Sequence, residues 1–99
     1  MTKLYCFDGP EQLKEIAKLC KDGSQRVMNV AKIWNSAKVK NGTTPWDGKV
    51  MVRFSTEGTS RKAEVIRSGF GGTTYSIAEL RYNLALQWCV QHLRKVDCP

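Results

Sequence analysis

The sequence has one histidine, His92, and no two of its four cysteines stand at the close spacing of a metal knuckle. Structural zinc takes four soft ligands, usually in Cys-x-x-Cys pairs, so Cys6, Cys20, Cys89 and Cys98 are expected to be reduced thiols, and neither a metal nor another cofactor is expected. No run approaches the roughly 20 apolar residues that span a bilayer. Lys3 is followed by no apolar stretch of the kind found in a secretory signal, so the chain is expected to be cytoplasmic and to have no membrane partner. The phosphate loop of nucleotide-hydrolysing proteins needs Gly-Lys-Ser/Thr, and here Gly72 is followed by Thr73. Repeats and low-complexity segments are absent, and 99 residues suit one small domain, 1–99.

Catalytic arrangements are sparse. Cys89 and His92 lie three residues apart, so a helix would bring thiol and imidazole to one face. Cys89 also belongs to an apolar stripe, and no third group is placed to orient the imidazole. The same two residues with Cys98 offer three metal ligands. The expectation is a protein that is not an enzyme.

Charge is the strongest signal. The net charge is +7, and residues 23–68 hold nine cations against three acids, leaving +6 in the middle of the chain. No acid occurs between Gly23 and Trp46. So one-sided a field attracts anions, either phosphate backbones or an acidic protein face. The candidate binding residues are Arg26, Lys32, Lys38, Lys40, Lys49, Arg53, Arg61, Lys62 and Arg67, with Trp46 as an aromatic in a polar loop after Pro45. Arg53 is placed to pair with Glu64 across a hairpin.

The hydrophobic pattern predicts an α+β fold: short strand, two helices, antiparallel β-hairpin, and a long C-terminal helix packed on the sheet. Residues 3–7 alternate, with Leu4 and Cys6 opposite Tyr5 and Phe7. Asp8 is a cap for a helix in which Glu11 bonds back, with Leu13, Ile16, Ala17 and Cys20 on one face and Gly23 as its stop. Ser24 caps a second helix with Val27, Val30, Ala31, Trp34 and Ala37 inward, ending near Lys38. Val50, Val52 and Phe54 face one side of a strand, and Ala63 and Val65 share a face of its return partner. After a glycine-rich bend at 69–72, Ser76-Ile77-Ala78-Glu79 has capping-box spacing, so one helix is expected from Ile77 to about Lys95. Its first apolar stripe is Ile77, Leu80, Leu84 and Trp88. Its second is Tyr82, Leu86, Cys89 and Leu93, a possible homodimer face.

Three likenesses follow. Gly69, Gly71 and Thr73, preceding a helix with Ala85-Leu86, are loosely similar to the end of a double-stranded-RNA-binding domain. That family places lysines where Thr74 and Tyr75 stand, and one helix rather than two before its hairpin. Residues 48–54 and 65–69 are similar to the hairpin of TonB-type carboxy-terminal domains, without that family's anchor and spacer. In size and lack of catalytic motif the chain resembles small accessory proteins of phages and mobile elements. The functional expectation is a non-catalytic protein whose basic face binds nucleic acid or a nucleoprotein complex. The alternative is a phage-like inhibitor of a host nucleic-acid-processing or defence protein, working by protein–protein interaction.

Overall fold

Alternating apolar residues in the middle of the chain build a twisted antiparallel sheet, and the helices cover one face of it. The structure, a computed structural model, describes residues 1–36 and 49–96. In chain order these form β1 (Thr2–Cys6), α1 (Pro10–Ile16), a short 3-10 turn, α2 (Ser24–Ser36), β2 (Val50–Glu57), β3 (Ser60–Ser68), β4 (Thr74–Leu80), α3 (Tyr82–His92) and β5 (Arg94–Val96). The strand order is β4-β3-β2-β1-β5, antiparallel throughout. The expected α+β class is the class observed, with the C-terminal helix packed on the sheet.

The register explains the core. Val52 pairs with Tyr5 on one side and Val65 on the other, and Phe54 pairs with Ala63. Successive strand residues alternate faces, so these apolar side chains share one face of the sheet. Against it pack Leu13 and Ile16 of α1, the stripe Val27, Val30, Ala31 and Trp34 of α2, and Ala85 and Cys89 of α3, in one buried cluster. Phe54 meets the rings of Tyr5 and Tyr82 edge-on, at 5.6 and 5.4 Å between centroids. The opposite face carries Leu4, Cys6, Met51, Arg53, Lys62, Glu64 and Ile66 by the same alternation.

Residues 74–80 are the main correction. They form strand β4 and not the first turns of a helix, so the C-terminal helix is Tyr82–His92, followed by strand β5. The capping-box residues have other partners: the Ser76 hydroxyl donates to Glu64 Oε1 at 2.8 Å, and the Glu79 amide donates to Asp22 Oδ1 at 3.2 Å. Thr74, Tyr75 and Ile77 favour extended backbone, and pairing with β3 satisfies backbone groups that β3 would otherwise leave open. A register shift between Val65 and Ile66 disturbs the alternation, so Ile77, Ala78 and Leu80 are all buried, and that spacing imitates a helical stripe. Leu80 belongs to the core through the strand, whereas Leu84 on α3 is exposed.

The stripe offered for a homodimer packs inward instead: Cys89 and Leu93 are buried, and Tyr82 and Leu86 lie against the core. At the start of α1 the Asp8 amide donates to Gln12 Oε1 at 2.6 Å, while the Asp8 carboxylate accepts from Arg94 at 3.0 Å. Gly9 is the cap position, and Asp8 makes no cap bond. Ala37 and Lys38, where the second helix is expected to end, lie outside the described residues.

Gly23 joins α1 to α2 with φ +72°, a conformation that disfavours any side chain. A Cβ there would also stand 2.9 Å from the Ala78 Cβ. Gly23→Ala is therefore expected to destabilise the fold by about 1–2 kcal/mol, and Leu80→Ala by about 2–5 kcal/mol through the cavity it leaves. Chemical denaturation of the two variants checks both values.

Candidate functional site

The β4 edge of the sheet collects cations from four separate segments. Near its start, the guanidinium of Arg67 lies over the ring of the exposed Tyr75, 4.9 Å from the centroid. Next along the edge, Arg26 of α2 donates from Nε to the Ile77 carbonyl at 2.7 Å, with most of its side chain in solvent. Lys21 follows, its Nζ 3.5 Å from Glu79. Arg81 is the exposed cap residue of α3. At the far end Arg61 lies over Tyr82, 5.7 Å from the ring centroid. Along this rim five cations stand against the carboxylates of Asp22 and Glu79, among the described residues. A helix start with arginine at its cap and no acid in its first turn adds to the positive field there.

Beside the rim is an open cavity of about 200 Å³ lined by Asp22, Arg26, Lys62, Glu64, Ser76 and Glu79, among others. It brings together Arg26 and Lys62, which are far apart in sequence. Glu64 is the buried charge of the described residues, 5% exposed. Burial pushes its carboxyl up, but the Ser76 hydroxyl and the Arg53 and Lys62 cations more than offset this and hold it below the usual glutamate range. Arg53 donates through Nη2 and Nε to the same Glu64 oxygen, at 2.9 and 3.3 Å, as the hairpin register predicts. Lys62 stands 3.5 Å from the other oxygen. Glu64 therefore holds Arg53 and draws on Lys62, and the charge the hairpin presents is less than its sequence suggests.

The other predicted cations divide as follows. Lys49 is exposed at the Arg67 end of the sheet, where its carbonyl accepts from the Ser68 amide at 3.0 Å. Arg61 and Arg67 are six residues apart on β3, about 20 Å at strand rise, so they mark opposite ends of the rim. Lys32 is exposed on α2. Lys38, Lys40 and Trp46 lie outside the described residues. Sequence reasoning missed Lys21, because the charges of residues 1–22 balance and its partner Glu79 is 58 residues away, and it missed Tyr75 and Arg81 because it read a bend and a helix where β4 and its end stand.

The thiol–imidazole pair is not assembled. Cys89 is fully buried, and burial pushes its thiol up to about 12. His92 is exposed, stacks on Trp88 at 4.8 Å and donates from Nδ1 to the Trp88 carbonyl at 2.9 Å. Burial also raises the Cys20 thiol, to about 11, and the Cys6 thiol. Among the described residues no group of three or more His, Cys, Asp or Glu is arranged to hold a metal, and no helix is long and apolar enough to cross a membrane.

The class these elements define is an α+β domain with three helices on one face of a five-stranded antiparallel sheet, counted over the described residues. Comparison with known protein families, with curated proteins and with solved structures finds no match for the chain.

Glu64→Gln is expected to cost about 1–3 kcal/mol at neutral pH, because it removes the charge from hydrogen bonds made by Arg53 and Ser76. The sign with pH follows from the lowered pKa. The carboxylate's contribution is fully present above the ~4.3 of a free glutamate and is lost as the pH falls through the depressed value. Denaturation curves for the two proteins should therefore converge at acid pH.

Proposed function

We propose that this protein is a non-catalytic binder of nucleic acid, or of a nucleoprotein complex, and that the β4 rim is its contact surface. The observation that carries the reading is the line Arg67, Arg26, Lys21, Arg81 and Arg61 along one sheet edge, with a tyrosine under the arginine at each end. Polyanions are held by such lines because bound cations displace condensed counterions, a gain that falls steeply with salt. An arginine drawn over an aromatic ring keeps its charge while its side chain is confined near the ring. Lys49 extends the charge beyond Arg67, and Lys62 extends it toward the cavity. Arg53 contributes little, since Glu64 holds it.

A second reading has its own observation. Leu84 and Val90 are 51% and 62% exposed on α3, two separate apolar side chains about 120° apart around the helix that a partner enclosing it would cover. An inhibitor docking on a nucleic-acid-processing protein would use that helix together with a few anchors such as Tyr82. Recovery of a partner from host lysate that survives nuclease treatment, and is lost in Leu84→Asp/Val90→Asp, favours this reading. Nuclease-sensitive recovery favours the first.

For the first reading, affinity for an oligonucleotide should fall about 50-fold between about 50 and 200 mM salt if about four phosphates are bound. Replacing Arg61 and Arg81 by alanine should weaken binding and flatten that slope by about 0.7 for each phosphate no longer neutralised. Titration by fluorescence anisotropy measures both, and an affinity indifferent to salt removes the reading.

A further inference from the structure

The two ends of the rim share a construction that phosphate binding alone does not require. At each end a guanidinium lies over a tyrosine ring: Arg67 on Tyr75 and Arg61 on Tyr82. Tyr75 is 47% exposed. Its ring also lies close over Gly69, where a Cβ would collide with ring atoms Cε2 and Cδ2. The glycine at position 69 thus leaves room for the ring. Both pairs follow from the sheet register. Arg67 pairs directly with Tyr75, and continuing the Ala63–Leu80 register places Arg61 beside Tyr82.

Phosphates are bound by lysines and arginines in any pose, and a duplex keeps the faces of its bases stacked on one another. Unpaired bases stack on aromatic rings and on guanidinium planes, at about 1–3 kcal/mol per base. The separation of the two pairs, about 20 Å along β3, matches about six nucleotides at the ~3.4 Å spacing of a stacked strand, and fewer when it is stretched. Between the pairs the rim offers Arg26, Lys21 and Arg81 to a backbone. Resting on the proposal that this rim binds nucleic acid, we infer that its ligand is single-stranded, with one unpaired base stacked at each Arg–Tyr pair and the backbone running along β4.

The test uses a labelled thymidine strand of about ten nucleotides, a strand of about three, and a duplex hairpin of similar charge. The longer strand should bind about ten-fold or more tightly than either of the others. Tyr75→Leu removes one platform without touching charge, and should lower single-strand affinity about five- to hundred-fold with the salt slope unchanged. Gly69→Ala acts at a distance from any base: its methyl displaces the Tyr75 ring, and it should lower affinity in the same direction. Circular dichroism shows whether each variant keeps its fold. For a variant that does not, Tyr75→Phe, expected to bind like the parent, supplies the comparison. Duplex bound as tightly as the strand, with salt-sensitive affinity and no effect of Tyr75→Leu, overturns the single-strand inference and leaves the basic rim standing. Binding of neither probe overturns both.

Discussion

The edge of β4 is where the helical layer is tied to the sheet. A strand edge leaves a row of backbone donors and acceptors open, and natural folds cover it or blunt it. Here the connection between α1 and α2 does so. The Arg81 amide donates to the Leu19 carbonyl at 2.9 Å, the Lys21 amide donates to the Glu79 carbonyl at 2.8 Å, and Cys20 forms a bridge to Leu80. Asp22 takes the Glu79 amide, and Arg26 reaches the Ile77 carbonyl. Gly23 makes this possible, since its left-handed backbone turns the chain back against Ala78 into α2. Structure and charge meet in the same residues: Lys21 and Arg26 close the edge with their backbone and side chain, and their cationic ends then project from it.

Much of this fold was legible in the sequence because its information is local. The stripes of α1 and α2 and the alternation of Val50, Val52 and Phe54 each arise within one element, and burial follows them. The Arg53–Glu64 pair was legible too, since a short hairpin brings residues eleven apart into register. Residues 74–80 misled because two coincidences agreed. Ser76 and Glu79 stand at capping distance, and the irregularity opposite Val65 puts Ile77, Ala78 and Leu80 all inside, so the two-residue period of a strand is lost. Three-residue β5 carries too short a pattern to be recognised.

The candidate surface was legible only in part, for a different reason. Counting charges finds the surplus but not its partners, and those partners are distant in sequence. Arg26 is fixed by a carbonyl 51 residues away, and Lys21 by a carboxylate 58 away. Glu64 engages two of the nine central cations because the sheet buries it, and burial at that position depends on the whole strand order. A net charge taken over a segment therefore overstates what the folded surface offers, while Arg81 and Tyr75 gain their place from a strand the pattern hid.

Cys89 sits in the centre of α3, fully buried, with a thiol that stays protonated at neutral pH. Alkylating reagents attack only the thiolate, and only where they have access. The sulfur is thus silent while α3 rests on the sheet and becomes reactive when the helix lifts away. This makes it an internal clock for opening of the C-terminal layer. Its rate of modification, set beside those of the half-buried Cys6 and Cys20, separates local breathing of the helix from unfolding of the whole chain.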